Sequence, residues 1–311
     1  MSKIIVGVDE SQGSADAITL ASGLAGITGS KLMLVNVFPY DQRPSRAVNR
    51  AFEDYLRQDS QELLERLRRD VGNETFEVRT VANPSPAHGL HDLAEKEDAG
   101  MIVVGSTHTG RGGRVLPGST AERLLHGAPC PVAVTPKGYV QRSGQKLTVI
   151  GCGYDGSGEA QRALEAARRF AASTGARLRV IRAFTPLTYD LPPGSVAMGG
   201  VAYNDRLRER AAEELDAAVA KLEAEPEAEA NFVVGDPARI LVETSKQLDL
   251  LLVGSRGYGP MHAVVVGGVA GRVVREAACP VIVFPRSAGH TEEDSLFAEA
   301  ASLHGKRPVR T

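Results

Sequence analysis

The chain has 311 residues, 42% of them hydrophobic, which is enough to give each of about two domains of roughly 150 residues its own core. A net charge of −2 with 24% charged residues excludes a globally basic nucleic-acid binder. No apolar stretch approaches the ~20 residues that span a bilayer, and the opening "MSKIIVGVDESQ" reads as a first strand, not a signal peptide, so a soluble cytoplasmic protein is expected.

In chain order, apolar Val/Ile/Leu runs predict strands near Lys3–Val8, Lys31–Val37, Glu77–Val81, Met101–Gly105 and Pro131–Thr135. They lack clean alternation, as strands covered on both faces do. Helical spacing lies between them. Ala15, Ile18, Leu20, Ala21 and Leu24 form one apolar face that Gly29 ends. Arg50–Arg69 is a longer amphipathic run, Pro86 opens a helix through Glu97, and Gly118-Ser119 opens one through His126. The order then repeats. Asp9 and Ser11 match Asp155 and Ser157 at an offset of 146, and Gly105 and Cys130 match Gly254 and Cys279 at 149. A near-constant offset along a whole half marks a duplicated domain. The expected organisation is a first domain at 1–136, a second at 145–286 and a tail at 287–311, with a polar linker between Lys137 and Gln145.

Alternating strands and helices imply open, mostly parallel sheets with right-handed crossovers, whose ligands sit past the carboxyl ends of the strands. The last strands, "PVAV" and "PVIV", are short apolar edges, and the linker makes their mutual pairing intramolecular. Homodimer formation stays open. Cys130, Cys152 and Cys279 show no metal or redox spacing and read as small buried residues.

The chemistry lies in two loops. "GSTHTGRGGRVLPGST", Gly105 to Thr120, and "GSRGYGPMHAVVVGG", Gly254 to Gly268, each follow a strand and open a helix. That arrangement offers backbone N–H groups and a positive helix end to an anion, with the hydroxyls of Ser119 and Thr120 in the first turn. The bland alternative is that the glycines only permit a turn. Three other motifs fail. The first loop resembles a Walker A sequence but has Arg111 for the lysine and Gly112 for the hydroxyl. "GCGYDG", Gly151 to Gly156, fits a dinucleotide fingerprint, but the next strand ends in "VIRAF" with Arg182 and no acid. His88 and His91 lie three apart on a helix, without counterparts in the second half, and suit a surface face better than a metal. Asp9 and Asp155, at the end of the first strand of each half, are either helix caps or acceptors for a base amine or ribose hydroxyl.

Both halves resemble universal stress protein domains, in tandem form, over about 1–136 and 145–285. The residues carrying the resemblance are "GVDES" and "GYDGS", "SPA" and "DPA" before the third helix, and "APCPVAV" and "ACPVIV" at the close. The resemblance implies two Rossmann-like, adenine nucleotide hydrolase-like α/β domains. Each would be a five-stranded parallel sheet of order 3-2-1-4-5 with helices on both faces, pairing through its fifth strand. It implies ATP as ligand, with or without magnesium, at loops of the form G-x2-G-x9-G-[ST]. The first loop gives Gly105, Gly118 and Ser119 but has His108 at the second glycine. The second gives Gly254, Gly257 and Gly267 but has Gly268 at the hydroxyl. His108 either blocks the backbone's approach or donates to phosphate from its ring; Arg111 and Arg114, and Arg256 and His262, add positive charge. The resemblance further implies that Asp9 and Asp155 contact adenine or ribose, with backbone near Val37 and Ala183 on the base. The function expected is a non-enzymatic, ATP-binding stress sensor or regulator with an unidentified protein partner. An interaction protein with degenerate loops, or a slow ATPase, is the alternative.

Overall fold

The computed structural model describes residues 2–40, 50–72, 76–106, 118–186, 198–222, 226–255 and 268–286. The first half runs β1 (Lys3–Gly7), α1 (Gln12–Thr28), β2 (Lys31–Phe38), α2 (Arg50–Val71), β3 (Glu77–Ala82), α3 (Pro86–Lys96), β4 (Met101–Gly105), α4 (Ser119–Leu125) and β5 (Val132–Thr135). The second half repeats it as β6 (Val149–Gly153), α5 (Gly158–Thr174), β7 (Arg177–Phe184), α6 (Met198–Ala220), β8 (Ala228–Val234), α7 (Pro237–Ser245), β9 (Leu250–Gly254), α8 (Gly268–Glu276) and β10 (Val281–Phe284).

Local chemistry explains the element ends. α1 and α5 each stop at a glycine in left-handed conformation, Gly29 and Gly175, both at φ 70°, whose N–H returns to the last turn. α3 and α7 start at a proline behind a side-chain cap: Ser85 Oγ accepts from His88 N, and Asp236 from Arg239 N.

The strands form one ten-stranded sheet in the order β3-β2-β1-β4-β5-β10-β9-β6-β7-β8. Each half contributes a parallel 3-2-1-4-5 sheet, the two running in opposite directions away from the centre. At the centre β5 and β10 pair antiparallel, with Val132 opposite Val283, Ala133 opposite Ile282 and Val134 opposite Val281. Two apolar cores lie on the two faces of the sheet, and each contains residues of both halves. Ile4, Ile5 and Val6 are fully buried in succession, which is why their run shows no alternation.

The segment between the halves is more ordered than its polar composition suggests. Tyr139–Arg142 forms a short 3-10 helix. Asp16 of α1, only 2% exposed, receives its N-terminus: one carboxylate oxygen accepts from Gly138 N at 2.8 Å and the other from Val140 N at 2.7 Å. Further on, Asp249 accepts from the backbone N and hydroxyl of Thr148 and from Val149 N. Burial works to raise its pKa, but these hydrogen bonds hold the carboxyl below its usual range. The position of Asp16 is taken in α5 by Arg162, which donates instead to the Pro285 carbonyl oxygen at 2.6 Å, just past β10. Each half thus anchors the chain leaving its last strand from the same helix position, by an acceptor in one half and a donor in the other.

Replacing Asp16 by alanine leaves two N–H groups without their acceptor, one of them on the left-handed Gly138 turn. The expected result is a loss of about 2–4 kcal/mol in urea unfolding. An unchanged midpoint would mean that other contacts hold the linker.

Candidate functional site

The site lies where the central strands of each half end. Gly7 of β1 stands beside Val35 of β2 and Val104 of β4. Asp9 follows two residues past this end of β1, in the turn that leads into α1. In the second half Gly153 stands beside Ile181 and Val253, and Asp155 again follows two residues past. The parallel register therefore puts three sequence-predicted positions of each half at the same end of its sheet: Asp9, Val37 and Gly105, and Asp155, Ala183 and Gly254.

The aspartates bend the chain into the following helix. Asp9 Oδ1 accepts from Ser11 N at 2.9 Å and from the Ser14 hydroxyl at 3.1 Å. Asp155 Oδ1 accepts from Ser157 N at 2.9 Å. Neither is the helix cap itself: those positions are Ser11 and Ser157. One carboxylate oxygen is thus committed to the turn, and the second is the one a ligand would use.

The two loop-opening glycines answer to a different constraint from the one their motif suggests. A Cβ on Gly105 would run into the backbone of Gly13 at the start of α1, and one on Gly13 would lie 2.6 Å from the Ser106 carbonyl oxygen. At Gly254 a Cβ would meet Glu159 Cβ at 2.9 Å and Ala160 N at 3.1 Å. These glycines let the fourth strand of each half pass against the first helix, whether or not anything binds. Gly13 was missed because it sits in a helix, where glycine is usually only a weak point. At the far end of the loops, Gly118 caps α4 in extended conformation and Ser119 and Thr120 open that helix. Gly268 opens α8, and a Cβ there meets nothing within 4 Å among the described residues. His108, Gly257 and Gly267, with Arg111, Arg114, Arg256 and His262, lie outside the described residues.

In the second half these positions open onto a cavity of about 1160 Å³. Asp155, Ala183 and Gly254 line it, together with Val269 and Ala270 in the first turn of α8. It continues between α5 and α6, over β7. Arg182, read in the sequence only as a missing acid, is a wall of this cavity. Its side chain is 12% exposed, and Nη2 donates to Glu214 of α6 at 3.0 Å. Glu214 also accepts from Arg210 at 3.1 Å. The first half carries Asn36 at the matching position, which donates to the Val8 carbonyl oxygen instead. The signal that could have found this difference is the alignment of the two halves at the offset of 146, which sets Asn36 against Arg182.

The three cysteines are buried and form no disulfide, and burial pushes the thiols of Cys152 and Cys279 well above their usual range. Among the described residues no group of three or more His, Cys, Asp or Glu could hold a metal, and no helix is long and apolar enough to cross a membrane.

A family model described as the universal stress protein family matches residues 1–136 and 147–285. A universal stress protein of Mycobacterium tuberculosis is 31% identical over 216 residues, covering 66% of this chain and 70% of the relative. One of Mycolicibacterium smegmatis is 29% identical over 290 residues, covering 90% and 96%. Among solved structures, a universal stress protein from Archaeoglobus fulgidus superposes with a TM-score of 0.65 at 20% identity, covering 92% of this chain and 98% of its own. That likeness concerns the fold.

The glycine geometry separates packing from ligand contact. Gly105→Ala should lose about 1–3 kcal/mol in thermal or urea unfolding with no ligand present, because the backbone of Gly13 has nowhere to go. Gly268→Ala, in open space at a helix start, should be neutral or slightly stabilising. Equal effects at the two positions would show that the close approach is not what Gly105 serves.

Proposed function

The chain belongs to the universal stress protein family, and from that premise we propose that it binds ATP at the strand-end cleft of its second half and serves as a cytoplasmic stress-response regulator. The observation that carries this reading is the convergence of Asp155, Ala183 and Gly254 on one cavity that ends at the first turn of α8. Each suits a different part of a nucleotide. The free carboxylate oxygen of Asp155 suits an exocyclic amine or a ribose hydroxyl, and the β7 backbone at Ala183 suits a base edge. The N–H groups opening α8 suit phosphate oxygens, with or without magnesium. Gly268 supplies no hydroxyl, which lowers affinity by about one hydrogen bond.

The reading is of a binding protein and not a catalyst. Among the described cleft residues Glu214 and Glu165 are each held by two arginines, and Asp155 has one oxygen committed to the Ser157 N–H. That supports retention of the nucleotide over activation of a water. Regulation would then follow from a ligand-stabilised arrangement of the second loop, which a protein partner reads.

Calorimetric titration with ATP, with and without magnesium, tests the reading alongside analysis of nucleotide released on denaturation. Binding should be at one site per chain. Gly268→Ser should tighten it by about two- to tenfold, and Asp155→Ala should weaken it by a similar factor. Asp9→Ala, checked for folding, should leave it unchanged. If Asp9→Ala alone weakens binding, the site is in the first half. No heat at millimolar ATP rejects nucleotide binding and leaves the interaction-protein alternative.

A further inference from the structure

The second-half cavity is larger than the roughly 300–1,000 Å³ of common small-molecule sites, and it has two parts of different character. One is the strand-end cleft. The other lies between α5 and α6 and is walled by Leu164, Leu207, Ala211, Ala218 and Leu222. The first half shows why this second part exists. α2 and α6 align at an offset of 151, with buried Ser60 and Leu64 matching buried Ala211 and Leu215. At that offset Leu67, packed against the first-half core, becomes Ala218, and buried Leu63 becomes Glu214. At these two positions α6 carries less apolar bulk than α2, and a carboxylate stands opposite Arg182.

The cavity lining holds Arg182, Arg210 and Lys221 against Asp155, Glu165 and Glu214, but the carboxylates are taken up by other contacts. Glu165 is held by Arg168, and then by Arg169, which keep its carboxyl below the usual range and commit it to α5. Glu214 is shared between Arg182 and Arg210. Lys221 adds a further cation to the lining. Arg182 also has donor capacity to spare. A guanidinium carries five N–H groups, and its Nη1 is buried without a hydrogen-bond partner among the described residues. An orphaned charged donor beside an apolar lobe is costly unless an acceptor arrives.

We propose that the lobe between α5 and α6 is a second binding site for an amphipathic organic anion. The apolar body of the ligand lies on Leu164, Ala218 and Leu222. Its carboxylate, or an equivalent singly charged head, takes the spare donors of Arg182 while Glu214 keeps its pair with Arg210. The lobe and the strand-end cleft are parts of one cavity, with Arg182 Nη1 3.4 Å from where a Cβ of Gly156 would stand. Ala218→Leu in the lobe and Asp155→Ala in the cleft tell the failure of the two readings apart.

The chain has no tryptophan, so the fluorescence of anilinonaphthalene sulfonate, itself an apolar ring system with one anionic group, can be read cleanly. The expected result is saturable binding of one probe per folded chain, unchanged by saturating ATP. Decanoate should displace the probe and decanol, with the same chain and no charge, should do so at least about tenfold less well. Ala218→Leu, which restores the first-half residue, should close the lobe and abolish binding. Arg182→Met, which keeps the stem without the charge, should weaken it about tenfold or more. Both variants are checked for native melting by circular dichroism. Absence of probe binding, displacement by ATP, equal displacement by decanol, or full binding by both folded variants would each overturn the proposal.

Discussion

The antiparallel contact between β5 and β10 sets the geometry of the whole molecule. Each five-stranded half, alone, would expose an apolar edge strand with unpaired N–H and C=O groups. Pairing Ala133 with Ile282 at the centre removes both edges at once and turns two sheets into one. The linker keeps the two edges at high mutual concentration, so pairing within the chain is favoured over pairing between chains. It also runs the strands of the two halves in opposite directions. The strand ends that carry Asp9 and Asp155 therefore lie at opposite ends of the sheet.

Side chains have diverged where the backbone has not. One helix position holds Asp16 in the first half and Arg162 in the second, and both fasten the chain that leaves the last strand. One strand position holds Asn36, bonded to its own sheet, or Arg182, reaching out to α6. One position on the second helix of each half holds Leu67, packed on its core, or Ala218, beside a cavity. Among the described residues, the second half carries a cavity lined with both apolar and charged side chains at these positions.

Much of the frame was legible in the residues alone. The strands matched within a residue or two because near-unbroken Val/Ile/Leu runs have few other uses, and the repeat offset tested each assignment twice. Gly29 and Pro86 marked helix ends by mechanisms confined to a single turn. Of the positions expected at the site, Asp155 and Gly254 were marked by the repeat and Ala183 only by the family resemblance, and the structure brings the three to one cavity. What the sequence hid depended on distant partners. The linker looked like a polar connector because the carboxylate that orders it, on Asp16, lies over 120 residues earlier. Gly105 looked like a phosphate-loop residue because the backbone it accommodates, at Gly13, is close only in space. The cavity could not be read at all, since its volume is set by how far small side chains let α6 stand from β7.

The central claim is that the second half, not the first, is the ligand-responsive one. Amide hydrogen exchange with and without ATP tests it most directly, because it reports each cleft separately on the intact chain. Added ATP should slow exchange at 154–157 and at the start of α8, near Val269, and leave 8–11 and the start of α4 unchanged. Protection confined to the first-half segments, or appearing equally in both, would contradict it.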